Sequence, residues 1–305
     1  MPLVFACIAP HGHLIPQLSS ASDLRRYRRT RDAMRRLAKD IRAARPSTIV
    51  IATPHNLRLR GAIGVVTAAN TSGYLVSGGS GFALTRLARG RRRVQLHATC
   101  DVDFADALLK SAMSRRLPAV GANYGTAAGP ISDMPMDWGT MVPLWFFLKE
   151  TALKAQVVIV TPSREIPLSA NVRFGEVIAE VAGKDRRRIV FVASADHAHA
   201  HKTNGPYGFN PAAAQYDALM VRAITENDLG AALRVSPRIV RGASPDSLWQ
   251  VAMLTGMTQR LGLRGTLYSY EVPTYFGMIC AAYRPGGSAA ARRASSFPSP
   301  RGGRV

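Results

Sequence analysis

QVVIVTPSREIPLSANVRFGEVIAEVAGKDRRRIVFVASADHAHAH, residues 156–201, contains two apolar, β-branched runs with one helical segment between them. Gln156–Thr161 and Arg188–Ala193 have the composition of buried strands, and Ser169–Ala182 has the apolar spacing of a helix. A strand, a helix and a second strand in this order predict a βαβ unit with parallel strands. The segment therefore predicts an α/β fold.

Further strands and helices are predicted on both sides of this unit. Apolar runs predict strands at Leu3–Ala9, Ser47–Thr53, Ala62–Ala68, Gly265–Glu271 and Phe276–Tyr283. Helical spacing or composition predicts helices at Leu24–Arg45, Asp101–Met113, Pro211–Glu226 and Ser247–Leu261, and the Gly- and Pro-containing Gly121–Pro143 predicts a long structured loop. We expect one α/β domain over residues 1–283, with a mixed, mostly buried central sheet flanked by helices, and a disordered basic tail over residues 284–305.

The formal net charge of +21, from 40 Lys and Arg against 19 Asp and Glu, would suit a polyanionic partner. Almost all of the excess lies in four basic segments, which are Asp23–Arg45, Arg86–Arg93, Gly183–Arg188 and the chain after Tyr283. These segments lack interleaved aromatic residues suited to base stacking and match no standard nucleic-acid motif. A solvated basic surface is favoured, and nucleic-acid binding is kept as an alternative.

Cysteine usage and hydropathy indicate the cellular compartment. Cys7, Cys100 and Cys280 are an odd number at wide spacing, which fits reduced, buried thiols better than a disulfide framework. The N-terminal segment has no basic leader, and no stretch reaches the roughly 18 uninterrupted apolar residues of a membrane span. We expect a cytoplasmic protein that does not enter the membrane.

Six of the seven histidines fall in three short motifs, each at a point where a predicted strand gives way to a loop. Strand ends are where α/β folds build their sites. Two imidazoles and one carboxylate on a common face suit Fe, Zn, Mn or Ni and leave coordination positions open. A metal site is therefore predicted from these motifs, whose histidines are His11 and His13, then His55, then His197, His199 and His201.

The carboxylate of such a site is expected at another strand end. Glu271 lies in YSYEVPTYFG, residues 268–277, among apolar and aromatic neighbours. A carboxylate in these surroundings is costly unless it is paired or bound to a metal. Glu271 is therefore a candidate for the third ligand, and a salt-bridged or surface glutamate is the alternative.

Five motifs resemble, in order, the LigB-type catalytic subunit of class III extradiol ring-cleavage dioxygenases. The resemblance spans Met1 to about Tyr283 and implies a LigB-like fold. The motifs are MPLVFACIAPHG at 1–12, TPHN at 53–56, DWGTMVPL at 137–144, SADHAH at 194–199 followed by GPYGFNP at 205–211, and YEVPTYFGM at 270–278.

This resemblance implies the chemistry of the site. It makes His11, His55 and Glu271 the ligands of one catalytic Fe(II), and it makes His199 the acid/base that moves a proton of the substrate. The implied partners are O₂ and a small aromatic diol or aminophenol, which would be opened next to a hydroxyl-bearing carbon. Asp196 either orients His199 or caps a helix. A homo-oligomer or a small partner subunit is compatible with the sequence.

The chain also departs from the family pattern. Many relatives have Asp-His-Gly at 137–139, where the histidine lines the substrate pocket, and Trp138 stands there instead. His13 and His201 are further candidates for substrate contact, with solvated or structural roles as the alternative. Two other functions remain open: a Memo-like metal-binding protein of the same fold without ring cleavage, and a zinc hydrolase.

Overall fold

An eight-stranded mixed sheet forms the centre of the protein. The computed structural model describes residues 3–77 and 92–286. In chain order, the strands are β1 (Leu3–Ala9), β2 (Thr48–Ala52), β3 (Ile63–Val66), β4 (Asn70–Val76), β5 (Arg93–Thr99), β6 (Ala119–Ala122), β7 (Asp133–Pro135), β8 (Gln156–Thr161), β9 (Ile189–Ser194), β10 (Leu263–Glu271) and β11 (Met278–Pro285). The order across the large sheet is β10-β11-β1-β9-β2-β8-β3-β6, and β5-β4-β7 form a second, small sheet.

Helices cover both faces of the large sheet. In chain order they are α1 (Ala21–Arg26), α2 (Arg28–Ala44), α3 (Val102–Ser114), α4 (Trp138–Leu144), α5 (Leu168–Lys184), α6 (Ala212–Thr225), α7 (Leu229–Leu233), α8 (Pro237–Ala243) and α9 (Leu248–Leu261). A π-helical turn at Trp145–Lys149 continues α4.

Alternate residues of the central strands belong to two different cores. Val50 and Ala52 of β2 pack with α3, α5, α6 and α9 on one face, whereas Ile49 and Ile51 pack with α2, α4 and the small sheet on the other. Successive side chains of a strand point to opposite faces, so a strand covered on both sides must be apolar at every position. This is why the central strands are continuous apolar runs.

The predicted fold class is confirmed. The βαβ unit is β8-α5-β9, and β2 lies between its two strands, parallel to both. The strands β1, β9, β2 and β8 all run in the same direction, so their carboxyl ends meet at one edge of the sheet. The three cysteines are buried free thiols, as expected.

Two predicted elements differ from the structure. The expected single helix at Leu24–Arg45 is two helices, because Tyr27 leaves the helical conformation at φ −99° and ψ 16° and its ring is buried. The expected loop at Gly121–Pro143 contains β7, paired with β4, and the first turns of α4, which includes Pro143.

Several expectations concern the chain's ends and its basic segments. Strand β11 extends to Pro285, so the first residues of the predicted tail belong to the sheet. The rest of that tail, and most of the basic segment Arg86–Arg93, lie outside the described residues. Within the described part, helix α2 packs Met34, Leu37 and Ile41 inward and exposes most of its arginines. None of the helices in residues 3–77 and 92–286 is both long and apolar enough to span a membrane.

Candidate active site

Three neighbouring strand ends bring the predicted histidines together. His11 follows β1, Asp196 follows β9 and His55 follows β2, and these three strands are adjacent and parallel in the order β1-β9-β2. Parallel neighbours place their carboxyl ends side by side, about 4.8 Å apart per strand. Side chains just beyond these ends can therefore converge on one point.

Two of these histidines and one aspartate form a compact donor group. The Nε2 atoms of His11 and His55 lie 3.1 Å apart, and Oδ2 of Asp246 lies 3.5 Å from the first and 3.2 Å from the second. A metal bound at about 2.1 Å to each of two neighbouring ligands would hold them about 3.0 to 3.4 Å apart. The donor set and its spacing fit a divalent transition metal.

A hydrogen-bond chain fixes which nitrogen of His11 faces this group. Oγ of Ser194 donates to the carbonyl oxygen of Gly139 at 2.5 Å and lies 2.9 Å from Nδ1 of His11. Because the hydroxyl has a single proton, Nδ1 must donate to Oγ. Nε2 is therefore the nitrogen that faces Asp246 and His55, and it is the atom that would bind a metal once its proton is displaced.

Asp196 holds the backbone around the donor group. Its Oδ1 accepts from the backbone N–H of His11 at 3.0 Å, and its own N–H donates to Oδ1 of Asp246 at 3.1 Å. Its Oδ2 lies 3.5 Å from Nε2 of His11. Asp196 therefore positions His11 and Asp246, and neither of these bonds involves the ring of His199.

The electrostatics of the site favour a cation. Burial alone would lower the pKa of His11, but Asp196 and Asp246 outweigh it and raise that pKa to about 9. Burial would raise the pKa of Asp246, but His11 and His55 hold it well below its usual range. Burial lowers the pKa of His55 and raises that of Asp196. A proton on His11 thus balances the buried carboxylates where a metal ion would do the same.

Glu271 does not belong to this group, which corrects the predicted ligand set. Its Oε1 accepts from the backbone N–H of Thr30 at 2.9 Å and from the Thr30 hydroxyl. The carboxylate is thus paired, as its apolar surroundings require, but with helix α2. Asp246, in the short connection between α8 and α9, takes its place. Asp246 was missed because the sequence SPDS, 244–247, resembles an ordinary helix start and follows no strand.

His199 lies at the rim of the donor group. Its Nε2 is 3.9 Å from Oδ2 of Asp246, and its buried Nδ1 has no hydrogen-bond partner. The ring stacks on Phe276 at 5.4 Å between centroids and meets the Tyr207 ring edge-on at 5.2 Å. An imidazole that lines the pocket beside the donor group is placed to exchange a proton with a bound molecule.

The two neighbouring histidines have other environments. His201 contacts Oδ2 of Asp217 through Nε2 at 2.8 Å, and Asp217 also accepts from the backbone N–H of Ala198 and from Tyr270. His201 is not among the described residues that line the pocket, and its contact with a substrate stays a prediction. His197 is fully buried, neither ring nitrogen has a partner, and burial lowers its pKa to about 4.

Trp138 and His13 both line the pocket, and their contact with a substrate stays a prediction. The indole of Trp138 stacks on His55 with ring centroids 3.9 Å apart. Asp137 fixes the start of α4, because its Oδ1 accepts from the N–H of Thr140 at 2.9 Å and from the hydroxyl of Thr53 at 2.8 Å. His13 is exposed at the pocket wall.

A pocket of about 1070 Å³ opens onto the donor group. His11, His55, Asp246 and His199 line one part of it. Strand β4 and the segment around Ile131 line another part of it, and the aromatic side chains of Tyr207, Tyr275 and Phe276 line the part beside His199. The volume is slightly above the roughly 300–1,000 Å³ found for small-molecule sites.

The sequence matches, over residues 6–279, the family described as the catalytic LigB subunit of aromatic ring-opening dioxygenase. The chain belongs to the LigB family. LigB dioxygenases depend on a metal, and the His-His-Asp group is where this member could hold one. Membership also accounts for the order of the five sequence motifs.

Two other proteins resemble this LigB chain. Protein CA_C1420 of Clostridium acetobutylicum is 23% identical over 264 residues, which cover 87% of this chain but 54% of that protein. This chain thus spans about half the length of that curated relative. The crystal structure of the uncharacterized protein JW3007 from Escherichia coli K12 superposes with a TM-score of 0.59 at 14% identity, covering 92% of this chain and 99% of the other. That likeness concerns the fold alone.

Proposed function

We propose that this LigB-family chain is a non-heme Fe(II)-dependent extradiol dioxygenase, with His11, His55 and Asp246 as the iron ligands. The observation that carries the proposal is the donor group, in which two imidazole nitrogens and one carboxylate oxygen converge at 3.1 to 3.5 Å at the base of a large pocket. Two histidines and one carboxylate are the ligand set of many non-heme Fe(II) oxygenases.

The reaction balances without an external reductant. An aromatic diol and O₂ give a ring-opened product that retains both oxygen atoms, and one carbon–carbon bond beside a hydroxyl-bearing carbon is broken. Fe(II), when bound, supplies open positions for the diol and O₂ and a path for electrons between them. An aminophenol would react in the same way, with the amino group in place of one hydroxyl.

The side chains of this protein would bind the substrate and move its protons. The imidazole of His199, which lines the pocket with Nε2 3.9 Å from Oδ2 of Asp246, would take the proton of one ring hydroxyl and return it as the ring opens. Phe276 and Tyr207 hold that imidazole in place and shield it from water. Trp138, stacked on His55, presents a flat wall along which a substrate ring can lie.

The test begins with anaerobic reconstitution of the protein with Fe(II), followed by iron analysis, oxygen uptake and visible absorbance with a panel of catechols and aminophenols. Bound iron together with oxygen uptake and a yellow ring-opened product is the expected result. Stoichiometric iron without oxygen uptake for any diol or aminophenol would overturn the proposal in favour of a Memo-like metal-binding role.

Three variants separate the roles of the residues. Asp246→Asn is expected to lose iron and turnover, whereas Glu271→Gln, which keeps an acceptor for Thr30, is expected to retain both. His199→Gln is expected to retain iron and lose most turnover. Retained iron in Asp246→Asn together with lost iron in Glu271→Gln would refute the proposed ligand set.

A further inference from the structure

The pocket is far larger than the ring that the iron would hold. A catechol ring fills only a fraction of about 1070 Å³, so a natural substrate has room for a sizeable substituent. That substituent would extend from His55 and Trp138 toward strand β4 and the segment that includes Tyr124 and Ile131. The side chains there determine which substituents can bind.

The charged side chains of this pocket are unusual for so basic a protein. Among the described residues that line it, the aspartates are Asp23, Asp133, Asp196 and Asp246, and there is no lysine or arginine. The whole chain, by contrast, has 40 Lys and Arg against 19 Asp and Glu. Among these described residues, a substrate carboxylate would find several aspartates and no lysine or arginine with which to pair.

Three of these four carboxylates already face a histidine or an arginine. Asp196 and Asp246 face His11 in the donor group. Asp23 accepts from Ser20 in the cap of α1 and lies 3.8 Å from Arg26. These three carboxylates are therefore balanced without a substrate.

Asp133 is different. It lies on β7 beside β4, and its Oδ2 accepts from the hydroxyl of Ser72 at 2.5 Å. Its Oδ1 is buried and has no hydrogen-bond partner. A buried, unpaired carboxylate oxygen is costly, and a donor brought by a ligand would remove that cost.

We propose, building on the extradiol function, that the substrate is an aromatic diol whose side chain carries an ammonium group, and that Asp133 binds this group. The diol end reaches the donor group, where Nδ1 of the nine-tenths buried His199 also lacks a partner. The ammonium end reaches Asp133, and the exposed ring of Tyr124 nearby offers a surface that favours cations. Asp133 is thus a specificity-determining residue.

The test measures binding, independently of turnover, by titration calorimetry on the Fe(II)-reconstituted protein kept anaerobic. Three catechols of similar size serve as probes: dopamine with an ammonium group, propylcatechol without charge and dihydrocaffeate with a carboxylate. We expect dopamine to bind about tenfold or more tightly than dihydrocaffeate, with propylcatechol between them. Equal or tighter binding of dihydrocaffeate would overturn the proposal.

Two variants distinguish a local contact from a general charge effect. Asp133→Asn keeps an acceptor for Ser72 and is expected to remove most of the preference for dopamine while leaving iron content and propylcatechol affinity unchanged. Asp106→Asn changes the net charge equally at an exposed position of α3, outside the pocket, and is expected to leave all three affinities unchanged. An unaltered preference in Asp133→Asn would refute the assignment of Asp133.

The same titrations separate this proposal from the extradiol function. If dopamine binds preferentially through Asp133 but no oxygen is taken up, the charge selection is supported. Only the proposed ring cleavage is then contradicted. Oxygen uptake with dihydrocaffeate at the efficiency of dopamine would support ring cleavage and overturn the charge selection.

Discussion

Replacing His197 with leucine is expected to make the folded protein more tolerant of acid. The imidazole is fully buried, with its ring centroid 6.4 Å from that of Tyr216 on α6, and both ring nitrogens lack partners. Burial lowers its pKa to about 4, despite the nearby carboxylates of Asp217 and Asp246, while His199 and His11 lower it further. Folding therefore requires a neutral ring at this position.

The sign and size of the effect follow from the difference in pKa between the two states. The unfolded imidazole has a pKa of about 6.5, so below that pH the unfolded chain binds a proton that the folded chain refuses. The contribution is fully present above pH 6.5 and is lost as the pH falls toward 4. Between pH 7 and pH 5 the free energy of unfolding should fall by about 2 kcal/mol on account of His197.

Urea unfolding of the metal-free protein at several pH values between 7 and 5 measures this contribution. The difference in unfolding free energy between wild type and His197→Leu should shift by about 2 kcal/mol in favour of the variant across that range. His97, which is exposed on β5, provides the control, because His97→Gln should follow the wild-type pH dependence. Parallel curves for wild type and His197→Leu would refute a neutral buried imidazole as a source of acid sensitivity.

Two further substitutions test the site and the core. Ser194→Ala removes the acceptor of the His11 Nδ1 proton and should weaken Fe(II) affinity about 10- to 100-fold, as measured by competition with a chelator. The unfolding midpoint of the metal-free protein should change little. Unchanged Fe(II) affinity would show that Ser194 does not set the tautomer of His11. Gly175→Ala places a methyl group against the carbonyl oxygen of Met253 where α5 crosses α9. It should lower the free energy of unfolding, measured in urea, by about 1 to 3 kcal/mol. Gly183→Ala, on the same helix but with open space around it, should lower that free energy far less.

The sheet and the positions of two site histidines could be predicted from local sequence. The buried strands are continuous apolar runs because both faces of the sheet are covered, and this pattern is visible without any knowledge of contacts. His11 and His55 come directly after such runs, so the edge at which they meet follows from the strands alone. His199 required the family resemblance to separate it from His197 and His201, because all three histidines lie within the same five residues.

Other features depend on contacts between distant parts of the chain. The break between α1 and α2 falls at Tyr27, where a buried ring interrupts an otherwise regular helical pattern. The pairing of β7 with β4 joins residues about sixty positions apart, and the three residues of β7 are too few to show a period. Neither could be obtained from local periodicity.

The source of the third ligand can be understood from the geometry of the sheet. Strand β10 is parallel to β1, so Glu271 does end at the same edge as His11, as the sequence suggested. Strand β10 is, however, four steps from β2 in the order β10-β11-β1-β9-β2, which is about 19 Å at 4.8 Å per strand. A glutamate side chain at that distance cannot share a metal with His55. Asp246, in the loop between α8 and α9, lies 3.5 Å from Nε2 of His11 and 3.2 Å from Nε2 of His55. A carboxylate that completes a site between central strands is therefore best sought in the loops that cross that edge, even when a glutamate at an outer strand has the more suggestive sequence.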